Sequence, residues 1–323
     1  QTWTSTELSV LDYIVTGSLG DVDIASGLQI RDESFDVARG ASSIATFDAG
    51  GNITVPADLL FLGGGLESTS SRKSTAIFVE AAKDMSDKLL VKGALRYEDL
   101  ESDSSIDPKI SFRYQASDDL ALRASFSTSF REASLAQLTS TNISLQGIQD
   151  YNADGSAKGG TAFIRIAQAN NANLAPEESE NMNIGAMWNP NDQLAMTLDY
   201  WAIDYTNVIT IESAQGKVAA NPLDPDVKRT AGGTLTGVTT KYFNAANVNT
   251  SGLDFESTYD FDTSLGQAQV GVNMMHMFEY EIPVGNATKD VVGLFNHDNF
   301  ARSLPDTKAV FHAALNSGQN SLS

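Results

Sequence analysis

The sequence predicts an all-β protein with the fold of an antiparallel up-and-down transmembrane β-barrel. Three observations predict it. Apolar and polar residues alternate with a period of two from end to end, as in strands that have two different faces. Helical periodicity is nearly absent. Short and long connections alternate along the chain, which is the pattern of a barrel with unequal rims.

About eleven strands are predicted from the alternating runs. Each run is bounded by residues that favour turns, such as Gly, Asn, Asp and Ser. The predicted spans are 8–16, 21–33, 74–83, 88–99, 108–116, 120–130, 180–189, 193–206, 247–262, 267–281 and 304–316.

The connections between these strands fall into two classes. Tight turns are predicted at 17–20, 83–87, 116–119, 189–192 and 263–266. Long connections run over 34–73, 131–179, 207–246 and 282–303, with a shorter one at 100–107, and they lack a periodicity of their own. Because neighbouring strands are antiparallel, all tight turns lie at one rim and all long loops at the other. We therefore expect short periplasmic turns and long extracellular loops.

The two faces of a predicted strand differ in chemistry. Apolar residues take most odd positions from Leu253 to Phe261, while Asp254 and Glu256 lie on even positions. A packed core does not accept unpaired charges. An apolar face toward lipid and a charged face toward a wet lumen accommodate both. A soluble β-sandwich with one wet face per sheet is the alternative.

The alternation stops abruptly at the end of one predicted strand. From Leu120 to Phe130 the period of two holds, and at Arg131 and Glu132 it ends. We place Phe130 in the aromatic belt of a membrane and the charged pair in the headgroup zone, beyond which both sides meet water. A tag near Gly155, in the loop that follows, should be reachable from outside intact cells.

Composition excludes several classes of protein. The 41 acidic and 21 basic residues give a net charge of −20, which disfavours binding to a nucleic-acid backbone. An apolar content of 41% disfavours a disordered chain. Residues 1–20 lack the pattern of a signal peptide, and no apolar run reaches the length of a spanning helix. The absence of cysteine is compatible with several compartments.

Catalysis finds no support in the sequence. The three histidines, His276, His297 and His312, are scattered between strands and loops. No spacing predicts a Ser-His-acid arrangement or a pair of catalytic carboxylates. We therefore expect that the protein is not an enzyme.

One stretch begins as a calcium loop does. Asp150, Asn152 and Asp154 take positions one, three and five, and Gly155 takes position six. Position twelve is Thr161, where a calcium loop has a bidentate Glu. An exposed Asn-Asp-Gly turn is the alternative. Calcium binding predicts a calcium-dependent melting shift that Asp154→Ala abolishes.

Four segments, in order over most of residues 75–316, carry a resemblance. The first is RASFSTSFREASLAQL at 123–138, and the second is NANLAPEESENMNIGAMW at 171–188. The third is NVNTSGLDFESTYDF, and the fourth is RSLPDTKAVFHAALN at 302–316. Together they resemble the barrel motifs of TonB-dependent outer-membrane receptors, although Ala133 and Ala172 stand where prolines are usual. The matching motif residues are Phe130, Arg131, Ser134, Leu174, Pro176, Glu177, Gly185 and Gly252.

The resemblance implies a fold larger than this chain. Such receptors have a TonB box, a plug domain and a barrel of 22 strands, so about eleven strands are half a barrel. We expect residues 1–323 to form a partial barrel with two unpaired edges, without the plug domain and terminal strands. Residues 320–323 are expected to form another short turn.

The resemblance also implies a function: active uptake of a scarce nutrient across the outer membrane of a Gram-negative bacterium. Implied partners are the TonB energy-coupling complex, reached through the plug domain, outer-membrane lipid and lipopolysaccharide, and a small-molecule or oligosaccharide ligand, but no nucleic acid. No cofactor is expected apart from the calcium ion considered above. A passive porin or adhesin barrel and a secreted soluble β-domain that binds glycans are the alternatives.

The loops are expected to contact the ligand, but residue chemistry does not single out the contacts. Tyr151, Phe163, Tyr242 and Phe243 are weak candidates, because aromatic rings stack on sugars or siderophores but also pack loops together. The net negative charge favours a neutral ligand such as an oligosaccharide over an anionic siderophore, unless local basic residues intervene. The basic residues in question are Lys158, Arg165, Lys228 and Arg229.

Overall fold

A computed structural model describes residues 1–55, 64–100, 103–245, 247–284, 287–296, 302–318 and 320–323. Within them, no helix has the length and apolar character needed to cross a membrane. The helices are α1 (Leu135–Thr139) and α2 (Ala214–Ala220), with a 3-10 turn at Ala41–Ser43. The strands are β1 (Thr2–Leu19), β2 (Val22–Arg39), β3 (Thr46–Phe47), β4 (Ile53–Val55), β5 (Gly64–Gly65), β6 (Ser68–Ser86), β7 (Leu89–Asp99), β8 (Ser104–Gln115), β9 (Leu120–Arg131), β10 (Asn142–Ile148), β11 (Ala162–Ala169), β12 (Glu177–Asn191), β13 (Leu194–Thr206), β14 (Ile209–Ile211), β15 (Val227–Arg229), β16 (Leu235–Asn244), β17 (Val248–Thr263), β18 (Gly266–Val284), β19 (Ala287–Asp290), β20 (Phe295–Asn296), β21 (Arg302–Ser303), β22 (Thr307–Ser317) and β23 (Asn320–Leu322).

Thirteen strands form one antiparallel sheet, which we call the wall. Its order is β1-β2-β6-β7-β8-β9-β12-β13-β17-β18-β22-β23, with β19 paired to β18. Apart from β19, each wall strand therefore pairs with the next one along the chain, which confirms the up-and-down topology. Each of the eleven predicted spans corresponds to one wall strand.

The chain end differs from the expected turn. Asn320–Leu322 forms a strand that pairs with residues 315–317 of β22. The reversal comes earlier, where Gly318 has a φ of 60°. Glycine adopts this left-handed conformation without the steric cost that a Cβ imposes.

The first wall strands are longer than predicted. The β1–β2 ladder is continuous from the pair Thr2–Arg39 to the pair Leu19–Val22. Apolar alternation fades at the Thr2 end of β1 because both faces are polar there, as in Thr4, Ser5, Thr6 and Glu7. The backbone ladder does not depend on that alternation, so it continues.

The wall has a polar face and an apolar face. Arg123, Gly185, Asp199 and Asp254 form one row of directly paired positions across four strands. Residues that pair directly share a face. The neighbouring row is apolar, and its face carries large exposed hydrophobic side chains, as expected where lipid is the solvent. These include Leu28, Ile77, Val79, Leu95, Ile110, Phe112, Phe126, Ile184, Leu198, Val270 and Phe311.

The long loops are folded, which corrects the expectation that they lack periodic structure. Strands β14, β16, β11, β10 and β5 pair in that order, with β15 on β16, to form a second sheet that we call the loop sheet. Its strands come from three different connections of the wall, so no single loop contains the pattern. One face packs against α2 in a hydrophobic core. This core consists of Ile148, Ile164, Ile166, Ala214, Val218, Val227, Leu235 and Val238.

Candidate functional site

The predicted boundary after Phe130 coincides with the end of a wall strand. β9 ends at Arg131, which pairs with Glu177 at the start of β12. The two side chains form an ion pair. The other carboxylate oxygen of Glu177 accepts a hydrogen bond from the backbone N–H of Ile209, at 2.7 Å. Two motif residues, Arg131 and Glu177, thus join the rim of the wall to the loop that leads into the loop sheet.

Arg72 stabilises the start of the long loop that follows β9. Its Nη1 donates to the carbonyl oxygen of Ala133 at 2.6 Å. Its guanidinium also pairs with Glu33 of the neighbouring strand at 2.8 Å and lies 3.4 Å from Glu132. Partial burial raises the pKa of Glu132, although Arg72 opposes the shift. This arrangement holds the loop entry against the polar face of the wall.

The motif residue Ser134 caps the short helix that follows. Its hydroxyl accepts a hydrogen bond from the Gln137 N–H, and the Gln137 side chain accepts one from the Ser134 N–H at 2.9 Å. This reciprocal pair is a capping box, which satisfies otherwise unpaired donors at a helix start. The capping box therefore fixes Leu135 as the first residue of α1.

The motif glycines leave room for side chains of the polar face. A Cβ on Gly185 would lie 2.0 Å from a carboxylate oxygen of Asp199, which pairs with Arg123. A Cβ on Gly252 would lie 2.5 Å from the ring of Trp201. Both glycines are therefore required by the packing of the next strand rather than by a turn.

Asn244 stabilises the end of the long loop between β9 and β12, just before that loop returns to the wall. Leu174 and Pro176 are half-buried on either side of Ala175. Ala175 donates to Asn244 at 2.9 Å and accepts from it at 2.9 Å. Asn244 also donates to the carbonyl oxygen of Asn207, at 2.7 Å. Asn244 therefore connects the two long loops, a role that its sequence context does not indicate.

The four candidate aromatic residues lie in different surroundings. Tyr151 is partly buried against the loop-sheet core. Tyr242 and Phe243 lie in β16 and are partly buried where it pairs with β14. Phe163 is 77% exposed and lines a cavity. Of the four, Phe163 is the one whose ring is mainly open to a ligand.

The predicted calcium loop contains an ion pair. Both carboxylate oxygens of Asp150 accept from Arg229, at 2.6 and 2.9 Å, and Lys158 lies 3.6 Å away. The hydrogen bonds from Arg229 hold the pKa of Asp150 below its usual range. The Asp154 carboxylate accepts from Ser156 at 2.6 Å.

These contacts fit a calcium loop poorly, because the guanidinium occupies the oxygens that a cation would use. No group of three or more His, Cys, Asp or Glu side chains that could hold a metal ion occurs within the described residues. Calcium binding by Asp150, Asn152 and Asp154 stays a sequence prediction, and the local geometry favours the Asn-Asp-Gly turn.

The polar face of the wall carries a charged cluster near the loops. Glu98 is 2% exposed and forms ion pairs with Arg31 and Arg96. A cavity of about 630 Å³ lies here, and Arg72 and Glu132 also line it. Glu98 is buried with two cationic partners, which is the condition under which a carboxylate tolerates burial.

The histidines do not form a reactive arrangement in the described part of the chain. His276 lies on the apolar face, 2.8 Å from the Thr307 hydroxyl and edge-on to Phe278. His312 lies on the opposite face, next to Gly271. His297 is outside the described residues.

A cavity of about 410 Å³ lies between the β3–β4 hairpin and the loop-sheet face that is turned away from the α2 core. Ile53 from the hairpin and Phe163, Arg165 and Lys228 from the loop sheet line it. Two of the four basic residues singled out in the sequence therefore meet in one cavity, although they are far apart in the chain.

Comparison with solved structures gives relatives of the same fold. A ferric enterobactin receptor from Pseudomonas aeruginosa is 16% identical over 98% of this chain and 40% of its own, with a TM-score of 0.66. The siderophore receptor PirA from Acinetobacter baumannii is 13% identical over 99% of this chain and 41% of its own, with a TM-score of 0.62. This chain thus spans about two fifths of the length of these receptors. No curated protein sequence matched it.

A family model settles the assignment that the wall topology indicates. The model described as TonB dependent receptor-like, beta-barrel, matches residues 4–315. The match runs from β1 to β22 of the wall and includes all eight motif residues. The chain belongs to the TonB-dependent receptor family, as a part of its β-barrel.

Proposed function

We propose that this chain is part of an outer-membrane receptor that takes up a scarce nutrient with energy supplied through TonB. The observation that carries the proposal is the family match over residues 4–315. The wall, with its apolar exposed face and its folded loops gathered at one rim, supports the same function. This interpretation is preferred over a passive porin, an adhesin and a soluble glycan-binding domain.

The proposed location is the outer membrane of a Gram-negative bacterium. The exposed apolar face of the wall would meet lipid there, with lipopolysaccharide around the loops. TonB would act through a plug domain that lies in another part of the receptor. The wall and loops would provide the surface on which the nutrient is first bound.

The proposed nutrient belongs to the siderophore or oligosaccharide class. The structural relatives are receptors for ferric enterobactin and other siderophores, but their identity to this chain is too low to transfer a ligand. No enzymatic activity is proposed, because the family and these relatives are receptors.

The test is uptake in cells that carry or lack the full-length receptor and an intact TonB gene. A panel of labelled ferric siderophores and oligosaccharides is offered. At least one compound should bind to receptor-bearing cells in the cold and accumulate on warming only when TonB is present. Accumulation that does not require TonB would identify a porin instead.

A further inference from the structure

The four basic residues of the loops fall into two pairs with different electrostatic surroundings. Arg229 and Lys158 both lie against the carboxylate of Asp150. Their charge is therefore partly neutralised within the loops. Arg165 and Lys228 have no carboxylate within ion-pair distance among the described residues. These two line the cavity described above.

The register of the loop sheet explains why a space exists between them. Leu145, Arg165, Gly237 and Lys228 form one row of paired positions across four strands. Gly237 stands between the two cations and has no side chain to fill the gap. A Cβ there would lie 3.1 Å from the Arg165 carbonyl oxygen, so a larger residue would crowd this row.

Arg165 presents an unused donor. Its Nη1 atom is buried, and no acceptor is found for it in the part of the chain that the structure describes. A buried guanidinium N–H without a partner is unfavourable, so such a group calls for an explanation. Its other guanidinium N–H groups have no acceptor among the described residues either, and the residue lines the cavity, so an anion there would meet an unpaired guanidinium.

Lys228 adds a second positive charge at the same place. Its ammonium group donates to the carbonyl oxygens of Gly50 and Pro225, each at 2.8 Å. These bonds fix its position but do not neutralise its charge. The carboxylates of Asp48 and Asp226 interact with it electrostatically from beyond ion-pair distance, and Asp226 is paired with Lys217 at 2.9 Å.

The remaining lining indicates what the anionic group is attached to. Phe163 precedes Arg165 by two positions, so both side chains lie on the same face of β11. Its exposed ring offers a flat apolar surface beside the cations. The cavity volume of about 410 Å³ is within the range of small-molecule sites, roughly 300 to 1,000 Å³.

We propose that this cavity binds a small molecule that carries a carboxylate, sulfate or phosphate group beside a flat or apolar part. Arg165 and Lys228 bind the anionic group, and Phe163 contacts the flat part. The inference rests on the proposed receptor function, because it names the class of ligand that the loops take. The local charge of the cavity thus outweighs the net negative charge of the chain in selecting the ligand.

The test uses the purified full-length receptor in detergent and two probes of equal shape, fluorobenzoate and its uncharged counterpart fluorobenzamide. Binding is measured by fluorine NMR. Fluorobenzoate should bind saturably to the unmodified receptor, and fluorobenzamide should bind at least about tenfold more weakly, since a charge-assisted contact is lost. Arg165→Gln and Lys228→Gln should each weaken fluorobenzoate binding by a similar factor.

Lys241→Gln is the matched control. Lys241 lies in the same loop sheet but does not line the cavity, so this variant should bind fluorobenzoate as the unmodified receptor does. The melting temperature of each variant shows that the loops are folded. Equal binding of both probes, unchanged binding by Arg165→Gln, or no saturable binding of fluorobenzoate would each overturn the proposal.

This binding assay does not involve TonB, so it separates the two proposals. If the receptor takes up a nutrient with TonB but does not bind fluorobenzoate, the ligand class alone is rejected. Anion binding without TonB-dependent uptake would reject the transport function alone.

Discussion

Two glycines of the wall, Gly185 and Gly252, lie where a larger residue would collide with the neighbouring strand. The nearest atoms to a Cβ on Gly185 include a backbone carbonyl oxygen at 3.0 Å, and those on Gly252 include one at 2.9 Å. Backbone atoms in a paired strand cannot move aside cheaply. Their place in the family motif therefore has a steric cause.

We expect Gly185→Ala and Gly252→Ala each to destabilise the barrel by about 1 to 3 kcal/mol, the usual cost of overpacking. The measurement is the temperature at which the full-length receptor loses its heat-modifiable migration on a gel. Gly93→Ala is the control, because its nearest contact would be 4.0 Å away. An unchanged transition for both motif variants would contradict the steric explanation.

A second residue-scale feature is the ion pair between Asp150 and Arg229, which joins the second long loop to the third. Both side chains are largely buried, with exposures of 11% and 14%. We expect Asp150→Asn to lower the local opening free energy of residues 227–229 by roughly 1 to 3 kcal/mol, because Arg229 loses a charged acceptor. Hydrogen exchange measures this opening.

Asp154→Asn is its control, since within the described residues Asp154 accepts bonds from Ser156 alone, in its own turn. Equal exchange in the two variants would show that the ion pair does not hold the loops together.

The same ion pair predicts a pH dependence. Hydrogen bonds from Arg229 depress the pKa of Asp150 in the folded protein. A depressed carboxylate pKa stabilises the fold above the unfolded pKa, about 3.9 for Asp, and this stabilisation is lost as the pH falls through the lower folded value. The loops should therefore stay protected at neutral and mildly acidic pH. Loosening that begins near pH 6 would point to another group.

At the scale of elements, Arg72 connects a wall strand to the start of α1. We expect Arg72→Gln to increase hydrogen exchange in residues 132–139, because the Ala133 carbonyl oxygen loses its donor and the carboxylates of Glu33 and Glu132 lose their cation. The expected loss is roughly 1 to 3 kcal/mol of local opening free energy.

The adjacent residue provides a control for Arg72. Lys73 is exposed and pairs with Asp32 on the other face, and exposed pairs contribute little. Lys73→Gln should leave exchange in 132–139 unchanged. If the two variants behave alike, the loop entry is held by the backbone rather than by Arg72.

At the scale of the whole molecule, the alternation of turns and loops predicts which rim faces the cell exterior. The chain contains no cysteine, so single cysteines can report each rim. Ala153→Cys lies in a long loop and Asp118→Cys in a tight turn, and both positions are exposed.

We expect an impermeant maleimide to label Ala153→Cys on intact cells and to label Asp118→Cys only after the outer membrane is permeabilised. The unsubstituted receptor serves as the control for background labelling. Labelling of Asp118→Cys on intact cells would mean that the barrel is inverted or that the strand count between the two sites is wrong.

The sequence by itself determined the wall. Each wall strand carries its own alternation, because one face meets an apolar solvent and the other a polar one. A tight turn fixes the pairing within each hairpin, and the up-and-down order pairs one hairpin with the next. The order, direction and faces of the strands from β1 to β22 could therefore be predicted, as could the strand end at Arg131. The strand ends that lie beyond the apolar band could not be predicted, because both faces of a strand meet water there and the alternation is lost.

Only the tertiary structure decided the loops. The loop sheet takes its strands from three separate connections, as in the parallel pairing of Arg165 with Gly237, and no segment records its partner in its own sequence. The sequence marked Lys158, Arg165, Lys228 and Arg229 as basic. Whether each charge is neutralised depends on what lies beside it in space. Asp150 partly neutralises two of them, Lys158 and Arg229, and the other two face one cavity.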